Sequence, residues 1–258
     1  MSELLTSSIN GHVATVTINR PEKRNSLLPE MLESLDHILD DLSSDSNLRV
    51  LVITGAGDKA FSTGADLRVF SEFTPEQVRL QWVPKGHHIF RKLFDLPLVT
   101  VAKLNGDAFG GGLELALACD LRIARQDATV GFPENRVGTA PGWNGFQRAV
   151  ELVGVGRAKE LVLTGTSISA VKAENWGLIN QVVDFAELDE ATNQLIGEIL
   201  KSAPISQKVS KQILNTFQSS HANYFMESIA GAYAHQTKDF LEGVAAFKEK
   251  RPSTFKGE

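Results

Sequence analysis

The N-terminal segment alternates apolar and polar residues with the two-residue period of a β-strand. Two such stretches, residues 4–9 and 12–18, flank the dipeptide Asn10-Gly11, which is favoured in tight hairpin turns. In the second stretch, the alternating apolar residues fall on one face of the strand. The pattern therefore predicts an antiparallel hairpin with one face more buried than the other.

The middle of the chain mixes helical and strand patterns. Apolar residues between Met31 and Leu42 recur at helical spacing, and residues 49–54 form a nearly continuous apolar run, as in a strand covered on both faces. Residues 98–104 and 178–183 predict further strands, and residues 157–164 and 170–176 predict helices. Together these elements indicate a mixed α/β fold.

A helix is also predicted to begin at Thr74, because the sequence TPEQ combines a capping box with proline in the first turn. It is expected to run towards Phe94, with a kink or break at Pro84.

Strand patterns cease beyond about residue 187. Helical spacing continues from Leu188 to Phe217, and scattered apolar positions predict one or two further helices between residues 224 and 247. We therefore expect a core spanning residues 1–190 and a helical region spanning residues 191–258. One apolar face on such a region is consistent with packing on a partner subunit or on the chain's own core.

Composition and charge restrict the classes of function. The chain has 258 residues, 42% of them hydrophobic, and a formal net charge of −5, which argues against a general nucleic-acid or anionic-membrane surface. The single cysteine, Cys119, lies in an apolar run and is expected to be a buried structural thiol. With no predicted membrane span or targeting segment, we expect a soluble cytoplasmic protein.

The stretch from Asn105 to Arg148 carries the candidate chemistry. Gly110-Gly111-Gly112 precedes a short apolar segment that contains Glu114. Backbone N–H groups at a helix N-terminus favour negative charge, so these glycines can face an oxyanion or can simply permit close packing. An apolar setting would raise the pKa of Glu114 towards the range of a general acid or base, unless its side chain reaches solvent.

A second carboxylate, Glu134, follows in a loop bounded by Gly131 and Gly138. Acid/base chemistry and an ordinary salt bridge to Arg136 both explain it. The glycine spacing fits neither a dinucleotide fingerprint nor a P-loop, and the six histidines lack metal-ligand spacing. No metal site is therefore predicted.

Several motifs, in order and over nearly the whole chain, resemble the crotonase superfamily, the enoyl-CoA hydratase/isomerase family. They are RPEKRNSL (20–27), KAFSTGADLR (59–68), NG (105–106), GGGLELA (110–116), CD (119–120), FPE (132–134), GT (138–139), PG (141–142), QR (147–148) and EGVAAFKEKR (242–251). The resemblance implies a crotonase-like spiral of ββα units with a C-terminal helical trimerisation region, hence a homotrimer or homohexamer.

The resemblance also implies roles for individual residues. Ala65 and Gly111 would donate the two amides of an oxyanion hole to a thioester carbonyl, and Glu114 and Glu134 would be the acid/base pair. Gly142 would help to hold the attacking water. The CoA phosphates would meet four basic residues: Lys23, Arg24, Lys59 and Arg68. No cofactor is needed beyond the CoA of the substrate.

The expected activity is hydration of a 2-enoyl-CoA, because both glutamates are present. One alternative is an isomerase that shifts the double bond with Glu134 as acid/base; another is a non-catalytic CoA- or RNA-binding member of the fold. The chain departs from the family at Trp143-Asn144 and Phe146, where hydratases usually carry small residues. Trp143 would either reshape the acyl pocket or pack away from the site.

Overall fold

A computed structural model describes residues 4–216 and 237–258. Ten strands are found there: β1 (Leu5–Asn10), β2 (Val13–Ile18), β3 (Val50–Gly55), β4 (Ala60–Ser62), β5 (Val99–Leu104), β6 (Asp107–Phe109), β7 (Leu121–Arg125), β8 (Thr129–Gly131), β9 (Ser167–Ser169) and β10 (Gln181–Val183). The predicted hairpin is confirmed, because β1 and β2 pair antiparallel with Asn10 opposite Val13.

The helices in the described residues begin with α1 (Pro29–Ser44), α2 (Leu67–Phe70), α3 (Pro75–Gln77), α4 (Val83–Asp95) and α5 (Gly111–Ala118). They continue with α6 (Gly145–Thr164), α7 (Ala170–Trp176), α8 (Leu188–Leu200), α9 (Pro204–Asn215) and α10 (Lys238–Glu249). Of the helices predicted between residues 224 and 247, the part before residue 237 lies outside the described residues.

The strands form two sheets. The larger has the order β1-β2-β3-β5-β7-β10, and the smaller has the order β4-β6-β8-β9. Three consecutive strand pairs, β3/β4, β5/β6 and β7/β8, each contribute one strand to each sheet and are followed by helices. This repetition makes the chain wind as a spiral of ββα units, and it confirms the predicted α/β class.

The main hydrophobic core lies between α1, α4, α5 and the inner face of the larger sheet. The outer face of that sheet is covered by α8, whose Leu188, Ile196 and Ile199 pack with Val52 and Val101 in a second cluster. Both faces of the central strands are therefore buried, which explains the continuous apolar run in β3. The division at residue 190 and the trimerisation role of the region after it stay predictions.

The helix predicted from Thr74 contains a change of helical form instead of a break. Thr74 and Gln77 complete the capping box, and a π-helical turn, Val78–Trp82, joins α3 to α4. Pro84 lies in the first turn of α4. Because proline lacks an N–H and crowds the preceding turn, a widened turn at this point is physically reasonable.

Two aspartates, Asp66 and Asp120, have structural roles. Asp66 accepts from the Arg68 amide at the start of α2 and pairs with Arg20, and Asp120 accepts from the Thr100 amide at 2.7 Å.

Cys119 is buried, and burial raises the pKa of its thiol to about 12. Within the described ranges, no helix has the length and apolar character needed to cross a bilayer.

Candidate active site

A cavity of about 140 Å³ lies where the loop before α2, the start of α4, the start of α5 and the loop before α6 meet. Its walls are mainly apolar, and the carboxylates of Glu114 and Glu134 line the same space. Ala65, Gly111 and Gly142 also line it. The fold therefore brings together five residues that the sequence analysis singled out, although they are up to 77 positions apart (142 − 65).

Glu114 is held inside the protein by backbone amides. Helix α5 is buried along its whole length, and Glu114 is only 2% exposed, which excludes a side chain that reaches solvent. Its Oε1 accepts hydrogen bonds of 2.8 Å from the amides of Trp143 and Gly145. Burial raises the pKa of Glu114, while these amides, the Gly142 amide and the Arg148 charge act in the opposite direction and favour the carboxylate.

Glu134 has a different environment from Glu114. It lies in a short 3₁₀ helix, Pro133–Val137, and its Oε2 is buried without a hydrogen-bond partner among the described residues. Burial raises the pKa of Glu134 to about 7, and the nearby charge of Glu114 adds to the effect. A carboxyl that is neutral for much of the time at neutral pH can act as a proton donor.

The salt bridge from Glu134 to Arg136 is not formed, so that interpretation of the loop is wrong. The Arg136 guanidinium instead donates to the Thr164 carbonyl at 3.3 Å, and the side-chain amide of Asn135 donates to the Val162 carbonyl at 2.8 Å. These bonds fix the loop to the C-terminal end of α6 and leave Glu134 turned towards the cavity. An added methyl group on Gly110 would lie 3.0 Å from Glu134 Oε1.

Two backbone segments converge beside the carboxylates. Leu27 donates to the Gly64 carbonyl at 2.8 Å and accepts from the Asp66 amide at 3.0 Å, so the intervening Ala65 directs its own N–H away from Leu27. Gly64 has φ +79°, and a methyl group there would lie 2.6 Å from the Gly111 nitrogen. Only glycine permits this approach, which places the Ala65 segment against the first turn of α5.

The Gly111 amide lies in that first helical turn, where an N–H has no intrahelical acceptor. The helix dipole adds positive potential at this end. A developing negative charge on a ligand oxygen in the cavity would therefore meet backbone N–H groups, as in an oxyanion hole.

Trp143, the departure from the family pattern, lies at the site and does not pack away from it. Trp143 is 3% exposed and lines the cavity. The ring stacks at a tilt against Trp82, with centroids 5.0 Å apart.

Phe146, by contrast, is 38% exposed. Asn144 takes a left-handed conformation with φ 73° as the N-cap of α6, which asparagine tolerates better than most residues.

The four basic residues expected at the CoA phosphates are all exposed. Arg24 pairs with Asp107, whereas Lys23, Lys59 and Arg68 form no ion pair within residues 4–216 and 237–258. The segments that carry Lys23 and Lys59 lie together, because a methyl group on Gly57 would be 3.1 Å from Cβ of Pro21.

Comparison with known proteins agrees with this geometry. The sequence pattern of the enoyl-CoA hydratase/isomerase family matches residues 8–258. The chain belongs to the enoyl-CoA hydratase/isomerase family. It is 37% identical to a short-chain-enoyl-CoA hydratase of Clostridium acetobutylicum, over 93% of each protein. It is 35% identical to a crotonyl-CoA hydratase of Syntrophomonas wolfei, over 94% of each.

Solved structures of the family show the same fold. A crystal structure of an enoyl-CoA hydratase from Bacillus anthracis superimposes with a TM-score of 0.95 and 39% identity, covering 99% of this chain and all of that one. The spiral fold that the sequence motifs implied is therefore confirmed at the level of the whole chain.

Two residues at the site were missed as functional candidates by the sequence analysis. Gly145 binds Glu114, and a methyl group there would lie 2.4 Å from Cγ of that residue. The guanidinium of Arg148 is buried and donates to the carbonyls of Trp143 and Phe90, at 3.2 and 3.1 Å. Arg148 was part of the QR motif at residues 147–148, but nothing in the sequence indicated that its guanidinium would be buried beside the site.

Proposed function

We propose that the protein is an enoyl-CoA hydratase that adds water across the double bond of a 2-enoyl-CoA thioester to give a 3-hydroxyacyl-CoA. The observation that carries this proposal is the pair of carboxylates on one cavity, Glu114 and Glu134. The first accepts hydrogen bonds from two backbone amides, whereas the second has a buried oxygen that accepts none from the described residues. Hydration needs one group to accept a proton and another to donate one. The names of the relatives support the same reaction.

In this reaction the thioester carbonyl lies against the amides of Ala65 and Gly111. Withdrawal of electron density towards that oxygen makes the β-carbon electrophilic, and the two N–H groups stabilise the negative charge that develops there. Removal of one such donor typically costs about 3 kcal/mol of transition-state stabilisation.

The two glutamates then move the protons. Glu114, whose anion is favoured by backbone amides, accepts a proton from the water as its oxygen bonds to the β-carbon. Glu134, whose raised pKa keeps it partly protonated at neutral pH, delivers its proton to the α-carbon. Gly142 lies beside Glu114 and helps to hold the water. Transfer of a proton from Glu114 to Glu134 restores the starting state, so no cofactor is required besides the CoA of the substrate.

The CoA phosphates are assigned to Lys23, Arg24, Lys59 and Arg68. Three of these cations lack ion pairs in the described residues, and an exposed, unpaired cation can bind a phosphate without first breaking a salt bridge. The region after residue 190 is assigned to assembly as a trimer or a dimer of trimers. Light scattering of the purified protein tests that assignment directly.

The experiment that tests the activity is an assay of the purified protein on matched 2-enoyl-CoA and 3-enoyl-CoA thioesters. We expect hydration of the 2-enoyl substrate. Isomerisation of the 3-enoyl substrate without hydration of the 2-enoyl substrate would instead support an isomerase that uses Glu134 alone. Binding of both thioesters without turnover would support a non-catalytic CoA-binding protein.

A further inference from the structure

The indole of Trp143 occupies a slot between α4 and α5 that exists because two residues lack side chains. A methyl group on Gly86 of α4 would lie 2.1 Å from the indole Nε1, and one on Gly111 of α5 would lie 2.5 Å from Cζ3. Protein interiors do not accommodate such overlaps. The three residues therefore form one matched unit, and the large side chain is an integral part of the cavity wall.

The indole is held rigidly in this slot. Its Nε1 donates to the Trp82 carbonyl at 3.3 Å, at the end of the π-helical turn. The Phe90 ring packs edge-on, with centroids 5.1 Å apart. Aromatic contacts on two sides and a hydrogen bond at the tip leave the ring little freedom, so it acts as a fixed wall.

This wall stands beside the reacting atoms. The indole touches Gly111, whose amide is assigned to the thioester carbonyl, and its own backbone N–H binds Glu114. The space available is also small, since a cavity of about 140 Å³ is well below the usual range of about 300–1,000 Å³ for ligand pockets. An acyl chain that extends from the carbonyl at Gly111 towards Gly86 of α4 would run into the indole, which fills the space between these two glycines.

We propose that Trp143 sets the upper limit on acyl length and makes short-chain 2-enoyl-CoA thioesters the substrate class of this protein. This inference rests on the proposed function, because it places the thioester carbonyl at Gly111. Since any variant except proline keeps the backbone N–H that binds Glu114, the side chain of Trp143 can be changed without deleting that hydrogen bond.

The test compares acyl-CoA thioesters of increasing length on the wild type, Trp143→Ala and Trp143→Leu. Binding is measured with the saturated butyryl, hexanoyl, octanoyl and decanoyl thioesters as competitive ligands by calorimetry, and turnover with the matching 2-enoyl series. Trp176→Phe is the control, because Trp176 ends α7 and does not line the cavity. Trp143→Leu retains part of the packing if Trp143→Ala fails to fold.

In the wild type and in Trp176→Phe, we expect affinity to stop rising after the shortest chains. In the Trp143 variants, we expect each added methylene to raise affinity by up to about fourfold, the effect of burying one CH₂ group. Equal length profiles in the wild type and in folded Trp143→Leu would overturn the proposal, as would a wild type that binds decanoyl-CoA much more tightly than butyryl-CoA.

The binding series is independent of chemistry. A length limit that Trp143→Leu removes, in a protein without hydration activity, would refute the proposed function and leave the acyl-length assignment standing. Hydration of all chain lengths at similar rates by the wild type would support the proposed function and refute the acyl-length assignment.

Discussion

The amide of Gly145 donates a 2.8 Å hydrogen bond to Oε1 of Glu114, so the buried carboxylate lies at the N-terminal end of α6. Anions are stabilised at this end of a helix by the unpaired N–H groups and by the helix dipole. This contact explains how a charged residue is tolerated in the apolar helix α5. Together with the Trp143 amide, it holds Oε1 of Glu114 in place at the cavity.

Gly145→Ala is expected to displace Glu114, because the new methyl group would lie 2.4 Å from its Cγ. We predict that kcat for hydration falls about 10- to 100-fold with a smaller change in KM, since a misplaced base costs rate more than binding. Steady-state kinetics on a short 2-enoyl-CoA measure this effect.

The matched control is Gly156→Ala in α6 beyond the non-helical Gly154, where a methyl group meets no atom within 4 Å. There we expect unchanged kinetics and a stability gain of about 0.5–1 kcal/mol, because alanine is the better helix former. Equal kinetics in the two variants would show that the Gly145 contact does not position Glu114.

The pKa of Glu134, raised by burial to about 7, predicts a pH dependence for hydration. Glu134 must be protonated to deliver its proton to the α-carbon, and the protonated fraction falls as the pH rises through that pKa. We therefore expect kcat/KM to decline about tenfold per pH unit above about 7. A profile measured from about pH 5 to pH 9 checks this.

The same pH profile, measured on Glu134→Gln, tests whether Glu134 is the group that causes the alkaline decline. The amide cannot titrate, so the residual activity of that variant should lose the alkaline decline. If the decline persisted unchanged in Glu134→Gln, another group would be the titrating donor.

Arg148 is predicted to be essential for the structure around Glu114. Its guanidinium is buried, and it binds the carbonyls of Trp143 and Phe90. Arg148→Met would leave both carbonyls without this donor and remove a positive charge that favours the Glu114 anion. We expect a loss of about 2–4 kcal/mol in the free energy of unfolding and an upward shift of the acidic limb of the pH–rate profile.

Arg157→Met, beyond the non-helical Gly154 in α6, serves as the comparison. Arg157 is exposed and donates to the Trp176 carbonyl at 3.2 Å, so its replacement should cost less than about 1 kcal/mol. Urea unfolding of both variants measures the difference. Similar losses of unfolding free energy in the two variants would contradict the prediction that the buried Arg148 stabilises the fold more than the exposed Arg157.

Much of the fold could be predicted from local patterns. Alternation predicted the β1/β2 hairpin, and the capping box predicted the start of α3. The helix predicted at residues 157–164 was too short. In the structure α6 starts at Gly145 and passes a non-helical Gly154, and three glycines in this segment obscured the helical pattern.

The two carboxylates could be singled out because an apolar run is an unusual place for Glu114 and because the motifs resemble a known family. Their electrostatic environment could not be predicted. It depends on contacts such as Glu114 with Gly145, 31 positions apart, and Trp143 with Trp82, 61 positions apart. Such contacts are set by the packing of α4, α5 and α6, which no local pattern encodes.

The measurement that tests the two-carboxylate mechanism most directly is the hydration rate of Glu114→Gln and Glu134→Gln beside the wild type. Both changes keep the side-chain shape, so circular dichroism should report folded proteins. We predict that each lowers kcat by about 100- to 10,000-fold, and that the double variant is little worse than either single one, because the two groups act in one step. Hydration at the wild-type rate by folded Glu114→Gln would contradict the mechanism.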